Sequence, residues 1–96
     1  MPLFVVKHEH TPERCPAGDA EMGPMLLQHI AAPNAQNHGV EIQGEAVVDG
    51  AHTFFLIVEA SDRQPVDEFM GPFSRFGTVE VLPASPCEAV VARAAC

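Results

Sequence analysis

The chain has 96 residues and a formal charge of −8, from thirteen acidic residues against five lysines and arginines. This length predicts a single domain over residues 1–96, and a hydrophobic content of 47% is typical of a globular protein. The few cationic residues are scattered, which argues against binding to a nucleic acid backbone. No apolar run approaches the roughly 18 residues that cross a bilayer, so we expect no membrane partner.

The start of the chain and its cysteines predict the compartment. The first residues lack the basic segment and the small-residue cleavage site of a signal peptide. Cys15, Cys87 and Cys96 are an odd number and match no paired disulfide framework. In a reducing compartment they would be free thiols or metal ligands. The cytoplasm is therefore the expected localisation.

The first predicted elements are a strand, a loop and a helix. Residues 3–10, LFVVKHEH, are rich in β-branched and aromatic residues and predict a strand. Two prolines and a glycine in residues 11–19, TPERCPAGD, predict a loop. The helical spacing of apolar residues in 25–32, MLLQHIAA, predicts a helix that Pro33 ends or kinks, followed by an exit turn.

The clearest local signal is a β-hairpin in the middle of the chain. Two runs of strand-forming residues, 40–48 and 51–60, flank Asp49-Gly50, a dipeptide favoured in two-residue hairpin turns. A second helix follows, with a serine or aspartate at 61–62 as its N-cap. GPFSRFG closes that helix, TVEVL predicts a fourth strand, and PCEAVVAR predicts a short fifth strand.

The predicted order is βαββαβ with a tail strand, the order of the ferredoxin-like motif. It predicts an α+β fold with a four-stranded antiparallel sheet, two helices on one face and a short C-terminal extra strand. In its length, element order, LFVV opening and FGTVEVLPASPC ending, the chain resembles muconolactone isomerase and other small dimeric α+β-barrel proteins. The resemblance implies two sheets packed into a homodimer, with small molecules bound between sheet and helices. HEHTPERC is not part of the isomerase pattern, so the activity of that enzyme is not implied.

Side-chain alternation in the hairpin predicts two different sheet faces. A two-residue loop would pair Val47 with His52. The face that is apolar on both strands is assigned to the helices; it carries Val40, Ile42, Gly44, Ala46, Thr53, Phe55 and Ile57. The opposite face would leave Phe54, Leu56 and Val58 in water, and a second subunit would remove that apolar patch. A homodimer through this second face is therefore predicted.

Histidines and a cysteine are predicted to meet at one end of the sheet. In a split βαβ topology the third strand lies between the first and the second, antiparallel to the first. The end of strand one, with His8 and His10, then adjoins the start of strand three, with His52, and the loop that carries Cys15 leaves from the same end. Imidazole and thiolate are ligands for zinc and copper. His8, His10, Cys15 and His52 are therefore predicted metal ligands, and no organic cofactor is indicated.

Three functions are compatible with these residues. The first is a cytoplasmic dimeric protein that binds zinc or copper through the predicted ligands. The second is a small-molecule enzyme of the dimeric-barrel type, such as an isomerase or oxygenase, in which His8, His10 or His52 acts as general acid or base and Cys15 as nucleophile or metal ligand. Glu45, on the predicted dimer face, is a further candidate base. The third is a plain ligand-binding or interaction dimer, in which substitution of the histidines leaves binding unchanged.

Overall fold

A computed structural model describes all 96 residues. Four strands form one antiparallel sheet in the order β2-β3-β1-β4. The strands are β1 Leu3–Glu9, β2 Val40–Val48, β3 Thr53–Ala60 and β4 Thr78–Ala84. The helices are α1 Met22–Ile30, α2 Ala32–Asn37, α3 Arg63–Phe69 and α4 Cys87–Arg93. The predicted α+β, ferredoxin-like sheet, with strand three between strands one and two, is confirmed. None of the helices has the length and hydropathy needed to cross a bilayer.

Two helix starts show how local chemistry defines these elements. The Asp62 side chain accepts a hydrogen bond from the Gln64 amide at 2.9 Å, so α3 begins at the predicted N-cap. Pro33, by contrast, does not end the helical region. Ala31 is extended between α1 and α2, and Pro33 lies in the first turn of α2, where its missing N–H group removes no helical hydrogen bond.

The predicted fifth strand is wrong, because Cys87–Arg93 form the helix α4. Pro86 precedes this helix as its N-cap in an extended conformation, and four of its seven residues, two alanines, a glutamate and an arginine, favour helix. Ala94 then ends α4 in the left-handed region, with φ of 55°. No residue of α4 is buried, so the core does not depend on it.

The buried side of the sheet is the opposite of the predicted one. Phe54, Leu56 and Val58 of β3 lie in the core, together with Phe4 and Val6 of β1. The helices cover this side with Ile30, Ala35, Val66 and Phe69. Phe55 and Ile57 point to the side that no helix covers, and Ile57 is 44% exposed. The prediction that Phe54, Leu56 and Val58 form the outer face is therefore wrong.

The hairpin differs from the predicted pairing in two ways, and the first of them explains this error. Ile42 pairs with Val58 but Gly44 pairs with Ile57, so Gln43 is an extra residue in a β-bulge. Strict alternation groups Val40 and Ile42 with Gly44 and Ala46 on one face, whereas the bulge places Val40 and Ile42 on the face of Phe54 and Leu56. The loop is also longer than predicted, because Val48 pairs with Thr53 and leaves four residues, 49–52, between the strands.

Candidate metal centre

Two histidines and a cysteine converge at the end of β1 that adjoins the hairpin loop. One ligand atom from each of His10, Cys15 and His52 lies within 4.8 Å of the others. His10 directly follows β1, Cys15 lies in the next loop, and His52 is the last residue of the hairpin loop. The chain therefore contains a His–His–Cys group that is able to hold a metal ion.

The loop that carries Cys15 is fixed by two short 3₁₀ turns. The turns Pro12–Arg14 and Pro16–Gly18 flank Cys15, and each begins with a proline, whose restricted φ suits a first helical position. The Cys15 amide donates to the Pro12 carbonyl at 3.3 Å, and Pro16 is buried. The thiol is thus presented from an ordered segment.

His52 has an uncommon backbone conformation. Its φ of 50° lies in the left-handed region, which costs a residue with a side chain roughly 1–2 kcal/mol. The His52 carbonyl accepts a hydrogen bond from the His10 amide at 3.2 Å, and the two imidazole rings lie 5.3 Å apart. Strain of this kind concentrates at functional sites, where the surrounding structure holds it in place.

His10 provides the strongest chemical sign of a ligand. Both of its ring nitrogens are buried and neither has a hydrogen-bond partner in the protein. A buried polar group without a partner costs about 1–3 kcal/mol, and a metal ion is one group that would use such a lone pair. Burial, and secondly the neighbouring His52, lower the pKa of His10, which favours the neutral ring that a metal requires.

His8 lies outside the converging group, although it was predicted with it. Its ring is 1% exposed, and Nε2 donates to the Phe73 carbonyl at 3.0 Å. The rings of Phe73 and Phe76 meet it edge-on, at centroid distances of 5.4 and 5.0 Å. His8 therefore packs beneath His10, whose ring centroid is 5.4 Å away, and anchors the segment that follows α3.

Gly77 lies directly against His8 Nε2, a contact that no sequence pattern indicates. A Cβ atom at Gly77 would lie 2.6 Å from His8 Nε2 and would overlap the Glu9 carbonyl oxygen. The close approach of these two backbones requires a residue without a side chain. FGTVEVL contains a glycine before a strand, a pattern that also fits an ordinary turn, so only the tertiary contact identifies it.

A cavity of about 650 Å³ opens beside the cluster, between the sheet, α1 and the Cys15 loop. All four predicted ligands line it, His8 included. Apolar side chains make most of the rest of its wall, namely Leu26, Leu27, Ile30, Val47, Val48, Phe54 and Phe73. Glu45 also lines this cavity, so its predicted position in a dimer interior is wrong; it lies on the helix side of the bulged strand.

The remaining histidines and cysteines lie outside the cluster. His29 Nε2 donates to the Phe69 carbonyl at 2.7 Å, which ties α1 to the end of α3. His38 is exposed, and its Nδ1 bonds the Asn34 carbonyl at 2.9 Å. Cys87 is exposed as well. His38 and Cys87 are therefore natural controls for substitutions at the cluster.

We expect the stability of the metal-free protein to fall in mild acid. Burial is the main cause that lowers the pKa of both His8 and His10 below 6.5, although the Phe73 carbonyl opposes the shift at His8. Below pH 6.5 the unfolded chain therefore binds protons that the folded chain does not, so the free energy of unfolding decreases as the pH falls from about 6.5 through the two folded values. Well above pH 6.5 these histidines are neutral in both states and add no pH dependence. Urea unfolding in chelator at pH 7.5, 6.5 and 5.5 should show this slope, and His8→Gln should reduce it; an equal slope in both proteins would contradict the assignment.

The sheet, the cluster and the cavity together define a class: a ferredoxin-like α+β protein with a His–His–Cys group at the mouth of an apolar cavity. The family model described as "Domain of unknown function (DUF3303)" matches residues 3–95, and the chain belongs to that family. No curated protein matches the chain. The architecture agrees with the predicted resemblance, whereas kinship with muconolactone isomerase itself stays a prediction.

Proposed function

We propose that this protein binds a zinc or copper ion through His10, Cys15 and His52, and that the ion serves small-molecule chemistry in the adjoining cavity. The observation that carries this proposal is the convergence of three donor atoms within 4.8 Å around a histidine whose nitrogens are buried and unpartnered. We place the protein in the reducing cytoplasm, where its three free cysteines persist as thiols.

The donor set indicates which metals the site would bind and whether the metal would be catalytic or structural. Two imidazoles and a thiolate occur in zinc sites and in trigonal copper sites. Three protein ligands are typical of catalytic zinc, because the ion keeps a position for water or substrate, whereas closed structural sites use four. The cavity adjoins all three residues, so a molecule in the cavity can reach that position. His8 is proposed as a support for His10, and Glu45 as a candidate base at the cavity wall.

The test is metal analysis of protein purified without an affinity tag. We expect near-stoichiometric zinc or copper in the wild type, and a loss of at least about 100-fold in affinity in Cys15→Ser, because removal even of groups that only support a ligand costs 10–100-fold. Cys87→Ser is the matched control and should keep the metal. Bound metal should also protect Cys15, but not Cys87, from alkylation measured by mass spectrometry.

Two outcomes would contradict the metal site. Wild-type protein that holds no transition metal and takes none up on titration would rule it out. Equal metal content in Cys15→Ser and Cys87→Ser would show that the ion binds elsewhere. In the first case the favoured function is metal-free acid–base or thiol chemistry in the same cavity, which the adjacency of the cluster to the cavity supports.

We further propose that the chain functions as a homodimer, through the sheet face that no helix covers. On this face Val5 of β1 lies between Ile57 of β3 and Leu82 of β4, and these two are 44% and 46% exposed. A second copy would remove this apolar row from water. The proposed interface is therefore the face opposite to the predicted one.

Sedimentation velocity tests the dimer. We expect the wild type to sediment at twice the chain mass of 10.3 kDa, and Ile57→Glu to sediment as a monomer, because it places an unpaired charge in the interface. Met25→Glu, at a position of α1 that is 66% exposed, is the control and should leave the dimer intact. A wild type that is monomeric at micromolar concentration would contradict the proposal.

A further inference from the structure

The charges around the cavity are all of one sign. No lysine or arginine lines the cavity, whereas two acidic residues, Glu45 and Asp49, do. Glu45 belongs to β2, and Asp49 to the loop that follows it. The net charge of −8 adds a field of the same sign. An anionic group in the body of a ligand would thus meet like charges and no cationic partner.

The amino-terminal end of α1, which also borders the cavity through Gly23 and Pro24, does not offer an anion site in compensation. Its first amides already have partners: the Asp19 carboxylate accepts from Glu21 and Met22 at 2.8 and 2.9 Å. The Gly23 amide donates to the Asp19 carbonyl at 3.1 Å, and a proline has no N–H group. The hydrogen bonds from the Met22 and Glu21 amides lower the pKa of the Asp19 carboxyl, so its negative charge persists.

Between the cluster and Glu45 the wall is apolar. Val47 pairs with Phe54, and Glu45 pairs with Leu56, one side-chain repeat farther along the strand, or about 7 Å. Leu26 and Ile30 of α1 also line the cavity. A buried polar group of a ligand would find no hydrogen-bond partner there, at a cost of about 1–3 kcal/mol.

We propose that the cavity takes an apolar small molecule that carries one metal-coordinating donor group and no anionic group elsewhere. The donor faces His10, Cys15 and His52, and the neutral or cationic body lies against the apolar wall. The donor part of this inference rests on the proposed metal site. The charge part rests on the cavity alone, so the two can fail separately.

Two dyes with the same ring system test the charge part. N-phenyl-1-naphthylamine is neutral, whereas 8-anilino-1-naphthalenesulfonate adds one sulfonate, and both fluoresce in apolar surroundings. The chain has no tryptophan or tyrosine to interfere. In metal-free protein we expect the neutral dye to bind at least about 10-fold more tightly than the sulfonate, a difference of about 1.4 kcal/mol in binding free energy.

Variants of the two acidic residues test the cause of this ratio. The double variant Glu45→Gln/Asp49→Asn should reduce the ratio of the two affinities several-fold, whereas Glu88→Gln on α4 should not change it. Equal binding of the two dyes, or a ratio that the double variant leaves unchanged, would overturn the charge part.

Competition with 4-phenylimidazole tests the donor part, because this neutral molecule carries one nitrogen donor on an aromatic body. Its ability to displace the neutral dye should increase at least about 10-fold when the protein is loaded with zinc, and this increase should be absent in Cys15→Ser. A protein that takes up no metal overturns the proposed function and the donor part together, while the dye ratio still decides the charge part. A protein that binds zinc without any gain in competition overturns the donor part and leaves the metal site intact.

Discussion

Replacement of Gly77 by alanine is expected to destabilise the protein by about 3 kcal/mol or more, the largest effect of any single methyl group in this chain. The added Cβ would overlap the Glu9 carbonyl oxygen and lie 2.6 Å from His8 Nε2. Neither group can move freely, because Glu9 is paired with Thr53 and Thr78 in the sheet and His8 is bonded to Phe73. A domain of this size has only about 5–15 kcal/mol of stability in total.

The measurement for Gly77→Ala is thermal unfolding of the metal-free protein. The expected decrease in Tm is about 12 °C or more, since 1 kcal/mol shifts a domain of this size by 4–8 °C. Gly71→Ala is the matched control, because no atom lies within 4 Å of a Cβ built there, and it should shift Tm by only a few degrees. A Tm for Gly77→Ala close to that of Gly71→Ala would show that β1 and the segment before β4 separate without cost.

Replacement of His52 by glycine is expected to separate the metal site from the fold. Glycine adopts the φ of 50° at this position without strain, so the free energy of unfolding of the metal-free protein should stay unchanged or rise by up to about 1 kcal/mol. The same substitution removes one of three proposed ligands, so metal affinity should fall by at least about 100-fold. A stable protein that has lost its metal would show that the strained histidine serves the site.

Two comparisons complete the His52 test. His52→Ala should lose the metal equally but keep the backbone strain, so it should be less stable than His52→Gly when both are metal-free. His38→Ala, at the exposed histidine outside the cluster, should keep the wild-type metal content. Isothermal titration with zinc and urea unfolding in chelator give the two quantities. Full metal affinity in His52→Gly would exclude His52 as a ligand.

The prediction that histidines and a cysteine meet at one end of the sheet was correct where it depended on topology. The strand order places the end of β1 beside the hairpin loop, so His10, Cys15 and His52 meet, as the split βαβ order required. The prediction placed His8 in the same group, but His8 lies outside it, because two residues on one face of a strand can still have different partners. His10 lies past the end of β1, where its ring is near the loops, whereas His8 is inside the sheet and bonds Phe73.

The cavity and its charges could not be predicted in the same way. The bulge at Gln43 places Val40 and Ile42 on the same face as Glu45 and Leu56, whereas strict alternation places them on the opposite face. A one-residue shift changes the face of every side chain that follows. The local sign of the bulge in VEIQGEAVV is Gly44, since a glycine inside a strand often marks a bulge, but it does not define which residue is the extra one.

The sequence by itself determined the elements that local chemistry controls. These are the four strands with their β-branched and aromatic runs, the Asp62 cap of α3 and the acidic character that argues against a nucleic acid partner. Only the tertiary structure decided which sheet face is buried, whether the last segment is strand or helix, and which donor atoms meet. Each of these depends on contacts between residues far apart in the chain, such as Gly77 against His8 and Glu9, and neither residue type nor spacing encodes such contacts locally.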